Sequence, residues 1–129
     1  MHISVGIIIK DDSGKILMID RKVYPYGWGC PAGHADKEET PEMAIKREAK
    51  EEVGLKIKDV KLLYEEYIPW NECVKGERGH YWYVYTALDW KGKEIRNKRE
   101  VKDLQWIPLH QIKNLNLEPI WKYWLEKFL

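Results

Sequence analysis

Apolar and polar positions along the 129 residues fall into two periods, one of about two and one near 3.6. Residues 2–9 (HISVGIII) and 15–20 (KILMID) are β-branched and apolar and read as strands. Lys10-Asp11-Asp12-Ser13-Gly14 between them has turn chemistry, so the pair predicts a β-hairpin. Residues 23–30 (VYPYGWGC) carry Pro25, Gly27 and Gly29 and predict a loop, followed by a short strand through CPAGH. Thr40-Pro41-Glu42 predicts a helix start, with Thr40 as N-cap, Pro41 at the first helical position and Glu42 near the positive end of the dipole. Gly54 predicts its left-handed cap.

Downstream, residues 55–69 and 79–90 favour strand, joined by a polar turn around Glu72–Gly79. Arg96–Lys102 reads as a charged loop and Leu104–Ile107 as a short strand closed by Pro108. Ile120, Trp121, Trp124, Leu125 and Phe128 recur at helical spacing and predict an amphipathic C-terminal helix from about Leu117. Strands flanking one central helix, with a second helix last, predict a mixed α/β sandwich in a single domain over residues 1–129.

In HYWYVYTALDW, Tyr81, Tyr83 and Tyr85 occupy one face while Trp82, Val84 and Leu88 occupy the other. A strand apolar on both faces belongs inside a sheet covered on both sides, so most of these rings are expected in the core. Tyr26 and Trp28, in the loop before the helix, are the better candidates for stacking on a base.

Composition narrows the class. With Lys+Arg at 22 and Asp+Glu at 21, the net charge of +1 argues against a polyanion-coating surface, and nucleic acid is not an expected partner. An apolar fraction of 44% supplies a core and excludes intrinsic disorder. No apolar run is long enough to span a bilayer. MHISVGIII has no basic leader or small-residue cleavage site, so no signal peptide is expected. Cys30 and Cys73 are too few for a disulfide framework and are expected to be inert, which fits a reduced cytoplasmic domain.

The chemistry concentrates in GHADKEETPEMAIKREAKEEVGL, residues 33–55. On a helix advancing about 100° per residue, Ile45, Ala49 and Val53 form an apolar stripe. Glu48 and Glu52 lie about 40° apart beside it, with Glu51 about 100° further round from Glu52. Carboxylates so close repel one another, and burial beside a core worsens the conflict. A hard divalent cation resolves it, because Mg²⁺ prefers oxygen ligands. A solvated Glu/Lys helix, with Glu42 and Lys46 paired at i,i+4, is the bland alternative.

Gly33, five residues, Glu39, seven residues and then Arg47-Glu48-Ala49-Lys50-Glu51-Glu52-Val53-Gly54-Leu55 match the Nudix box at its defined positions. The sequence resembles a Nudix hydrolase of the MutT-like branch. The flanks carry the resemblance further, through the opening hairpin, Trp28…Pro31-Ala32-Gly33 and Glu100…Trp106-Ile107-Pro108-Leu109. Ala32-Gly33 and Asp36 depart from the Gly-Gly and glutamate common in the family. The resemblance implies an α/β/α sandwich around a mixed sheet and divalent-metal-dependent cleavage of a diphosphate linked to another moiety, usually a nucleoside.

By the same resemblance, Glu48, Glu51 and Glu52 hold Mg²⁺ or Mn²⁺ and the Ala32 carbonyl adds a backbone ligand. Glu48 is a candidate general base, Arg47 orients the carboxylates, and Glu39 pairs with Arg47. Gly33, Glu39 and Gly54 are structural members of the box. Glu100, six residues before Trp106, is a further metal-ligand or base candidate. Arg21 and Lys22 are candidate phosphate contacts, Trp28 a stacking candidate, and Asn116 a base reader. His34 adjoins the metal loop, where a turn or solvent role is expected because hard metals favour oxygen.

The substrate expected from the resemblance is a nucleoside or deoxynucleoside triphosphate, giving the monophosphate and pyrophosphate. An ADP-ribose or other sugar-nucleotide pyrophosphatase is the alternative, with weak support from Pro69, fourteen residues past Leu55. A non-catalytic nucleotide-sensing domain is a further alternative, although the box retains every carboxylate. A small nucleotide is the expected partner, with the protein a monomer or a homodimer.

Overall fold

The structure, a computed structural model, describes residues 2–72 and 78–128. Its elements in chain order are β1 (His2–Ile8), β2 (Ile16–Arg21), β3 (Gly27–Gly29), β4 (Ala32–His34), α1 (Pro41–Val53), β5 (Lys56–Glu72), β6 (Arg78–Lys91), β7 (Val101–Ile107), α2 (Leu109–Ile112) and α3 (Pro119–Phe128). A four-stranded sheet has the order β4-β1-β6-β5 and a three-stranded sheet the order β3-β2-β7. β1 runs parallel to β6 and antiparallel to β4. Of the polar turn expected around Glu72–Gly79, residues 73–77, Cys73 among them, lie outside the described ones.

The expected hairpin of β1 and β2 is corrected. Both edges of β1 are taken, by β4 and β6, so β2 joins β7 in the other sheet. What remains of the hairpin lies at its turn: Asp11 N–H donates to Lys15 O at 2.9 Å and Leu17 N–H to Ile9 O at 3.0 Å. The loop predicted over residues 23–30 contains the short strand β3, and a single helical turn, α2, follows Pro108.

Two apolar clusters hold the layers together. One joins Val5, Ile7 and Tyr85 to Leu17 and Val101 and is covered by Ile45, Ala49 and Val53 of α1. The other joins Trp82, Val84, Met18 and Ile107 and is covered by Trp121 and Trp124 of α3. β6 is therefore apolar on both faces because a helix covers each, as expected for a mixed α/β/α sandwich. Leu88 departs from that pattern and is exposed. No helix among the described residues is long and apolar enough to cross a membrane.

Candidate active site

The local sequence fixes where α1 begins and ends. The Thr40 hydroxyl accepts the Met43 N–H at 3.1 Å, Pro41 occupies the first turn, and Gly54 caps the end at φ 75. Burial of Ala44, Ile45, Ala49 and Val53 sets the rotation of the helix. Glu52 then lies buried, with Glu48 partly buried beside it, both against β4. The contact explains Gly33: a Cβ there would collide with the Glu48 carboxylate.

The ladder bonds Ile7 N–H to Pro31 O and Ala35 N–H to Ile3 O point Pro31 and Ala35 toward β1. By the alternation of an antiparallel pair, the backbone groups of Ala32 and His34 face the open edge. Glu52 accepts the Ala32 N–H there at 2.8 Å, and the His34 carbonyl accepts from Arg47 at 2.9 Å. Ala32 needs no positive φ, so an alanine suits the position where many relatives have glycine.

Arg47 is the hub. Its Nε and Nη2 donate to the two oxygens of Glu39, each at 2.8 Å. Nη1 donates to Glu48 at 2.9 Å and to Glu51 at 3.2 Å. Glu39 also accepts the Asp36 N–H, so one guanidinium fastens the loop after β4 to the helix. The hydrogen bonds from Arg47 hold the Glu39 carboxyl at about 2, far below the carboxylate range. Burial instead pushes Glu48 up to about 7, despite Arg47, and Glu51 and Glu100 add to the rise. Burial, then the Glu48 charge, raises Glu52 well above its ordinary value.

These carboxylates open on a cleft of about 370 Å³ between the two sheets. Of the residues predicted from sequence, Arg21, Ala32, Gly33, Arg47, Glu48, Glu52 and Glu100 line it. Glu100 stands in the turn before β7, its backbone carbonyl accepting the Lys22 N–H at 2.9 Å. Glu51, predicted as a metal ligand, is not among the lining residues; its side chain is 53% exposed and tied to Arg47.

Lys22, Trp28 and Asn116 are not brought to the cleft lining among the described residues. The Lys22 ammonium donates to the Lys98 carbonyl at 3.2 Å. Trp28 packs against the α3 cluster, and its N–H donates to the Asn116 carbonyl at 2.8 Å. That bond anchors the segment before α3, while Tyr26 is exposed. Cys30 is buried against Met18, and burial pushes its thiol up, away from the reactive thiolate.

The cleft also holds residues that the sequence did not single out: Ser4, Asn71, His80 and Glu118. Asn71 accepts the Trp82 indole N–H at 2.9 Å. Burial raises Glu118 to about 7, against the pull of Arg21 at 4.0 Å. Their positions depend on strand register across the sheet and on the docking of the tail, and neither leaves a local sequence signal.

A hard divalent cation suits this donor set. Glu48, Glu52 and Glu100 face the cleft with the edge-facing Ala32 carbonyl, while Glu51 lies outside the lining. All are oxygen donors, and burial of two like charges leaves an electrostatic cost that a dication removes.

The comparisons agree with this geometry. The NUDIX domain family matches residues 1–128. The crystal structure of a MutT NUDIX hydrolase from Burkholderia pseudomallei superposes with a TM-score of 0.83 at 28% identity, covering 97% of this chain and 95% of that one. The solution structure of the E. coli ORF135 protein gives a TM-score of 0.79 at 25% identity, covering 99% and 88%. An RNA pyrophosphohydrolase from Pseudomonas fluorescens is 43% identical over 60 residues, 46% of this chain and 37% of that protein. The chain thus aligns with well under half the length of that relative. A mixed α/β sandwich with a carboxylate-lined cleft at the helix edge defines the class, and the chain belongs to the NUDIX domain family.

Proposed function

We propose that the protein is a divalent-metal-dependent pyrophosphohydrolase that cleaves nucleoside or deoxynucleoside triphosphates to the monophosphate and pyrophosphate. The observation that carries this reading is the convergence of Glu48, Glu52 and Glu100 on one cleft, with Arg47 bridging Glu39, Glu48 and Glu51 at its edge. A volume of about 370 Å³ suits a mononucleotide.

Glu48, Glu51, Glu52, Glu100 and the Ala32 carbonyl hold Mg²⁺ or Mn²⁺. The bound ion supplies charge neutralisation on the phosphates and lowers the pKa of water. Water adds to one phosphorus of the α–β bridge, the bridging oxygen leaves with the other phosphoryl group, and a carboxylate takes the water's proton. Glu48 or Glu100 serves as that base. Arg21, with Nε held by the Pro25 carbonyl at 2.8 Å, presents the rest of its guanidinium to a phosphate.

The names of the curated relatives favour a second substrate, an RNA carrying the same anhydride. One experiment separates the readings: deoxynucleoside triphosphates, oxidised forms of them, ADP-ribose and 5′-triphosphorylated RNA are incubated with Mg²⁺ and scored by product. Release of pyrophosphate from the free nucleotides is the expected result. Preferential turnover of ADP-ribose or RNA replaces the substrate, and turnover of none replaces the enzyme with a nucleotide-sensing domain.

A further inference from the structure

We propose that His2, His34 and His80 form a second metal site in this protein, a three-imidazole centre for a borderline divalent ion such as Zn²⁺. It is separate from the box carboxylates in ligand chemistry and does not depend on the activity proposed above.

Strand register gathers the three. β1 lies between β4 and β6, with His2 opposite His80 and Ser4 opposite His34. Paired residues share a face, so all three histidines project from the same side of the sheet. Their ring centroids are 5.3 Å apart for His2 and His34, 5.5 Å for His2 and His80, and 5.2 Å for His34 and His80. One ligand nitrogen from each lies within 4.8 Å of the others. Nitrogens bound to tetrahedral Zn²⁺ at about 2.0–2.1 Å stand roughly 3.4 Å apart, so closing the site requires the nitrogens to approach by up to about 1.4 Å and the His34 and His80 rings, stacked at an interplanar angle of 10°, to rotate until their in-plane lone pairs converge.

Ser4 supplies the support that metal-binding histidines characteristically have. Its Oγ lies 2.9 Å from His80 Nδ1, with both groups buried. In the tautomer where Nδ1–H donates to Ser4, the His80 lone pair resides on Nε2, which is the form a metal requires. Imidazole favours Zn²⁺, Co²⁺ and Ni²⁺ over Mg²⁺, so the two ion classes sort themselves between nitrogen and oxygen donors. The carboxylates of Glu48, Glu52 and Glu118 line the same cleft and offer oxygen donors distinct from the three imidazoles. Three protein ligands leave a fourth position, and Ser4, His34 and His80 border the cleft, so that position can take water or a substrate phosphate oxygen.

The test is titration of the whole protein with Co²⁺ and Zn²⁺ in excess Mg²⁺, followed by the visible Co²⁺ bands and by calorimetry. Neither readout needs turnover, so the outcome is independent of whether the protein hydrolyses nucleotides. One Zn²⁺ per chain is expected, displacing Co²⁺ from a site with tetrahedral-type absorption. His2→Gln, half-buried at the strand start, should weaken binding at least tenfold, and Ser4→Ala about tenfold. His80→Gln should abolish it, provided circular dichroism shows an intact fold, since His80 is 1% exposed. Glu52→Gln should leave Zn²⁺ binding within about twofold. Absence of Zn²⁺ binding in the wild type, equal binding in His2→Gln, or loss confined to Glu52→Gln would each overturn the site.

Discussion

Arg47 grips Glu39 with two parallel hydrogen bonds of 2.8 Å, while a third donor of the same guanidinium holds Glu48 at 2.9 Å. The loop after β4 and the cleft carboxylate thus share one partner across eight residues of chain. Planar bidentate geometry is available to arginine and not to lysine.

Arg47→Ala is therefore expected to lower stability and rate together. Glu39, with its side chain only 15% exposed, is left without its partner, and Glu48 loses its orientation. Charge-assisted hydrogen bonds of this kind suggest a loss of about 2 kcal/mol, and misplaced carboxylates suggest at least about a tenfold drop in kcat. Arg47→Lys should recover charge but little of the rate. Thermal melts run beside steady-state kinetics check this, and a rate loss at unchanged stability would assign Arg47 to substrate instead.

Glu52→Gln should abolish turnover and weaken Mg²⁺ binding with the fold intact. The amide oxygen can still accept the Ala32 N–H, and a buried charge beside Glu48 disappears. The metal-free variant is expected to melt at or above the wild-type temperature. Wild-type kcat in this variant would remove Glu52 from the metal site.

The box was legible because its members are close in sequence and one helix sets their spacing. Thr40, Pro41 and Gly54 mark the helix ends by local chemistry, and Ile45, Ala49 and Val53 mark its buried face. Partner choice among strands was not legible. The β-branched, apolar run of residues 2–9 identifies a strand but not its neighbours, and the parallel pairing of Ile8 with Thr86 is set by the whole sheet. The same non-locality hid His80 and Glu118. It also placed Trp28 and Asn116 in a backbone bridge rather than in the cleft.

The pH dependence of stability follows from the buried carboxyls. Glu48 and Glu118 are pushed up to about 7 from an ordinary 4.5, and Glu52 also rises. Between those values the native state binds more protons than the unfolded chain, so metal-free stability should fall as pH rises from about 5 to 8. Glu39 acts oppositely, its contribution disappearing only as pH falls from 4.5 toward about 2. Mg²⁺ should raise the melting temperature more at pH 8 than at pH 5.5, because it binds the ionised carboxylates. A larger Mg²⁺ effect at the lower pH would contradict this assignment.

Glu100 separates a solvated loop residue from a working one most sharply. It is exposed in the turn before β7, yet it lines the cleft with Glu48 and Glu52, close enough for its charge to raise both. An exposed ion pair contributes under about 1 kcal/mol to stability, whereas a general base is worth about 10²–10⁴-fold in rate. Glu100→Gln should therefore melt within a degree or two of wild type while kcat falls at least about tenfold and KM barely changes. Those kinetics would mark an interaction used mainly in the transition state. Turnover within about twofold of wild type at saturating Mg²⁺ would leave catalysis to Glu48, Glu51 and Glu52.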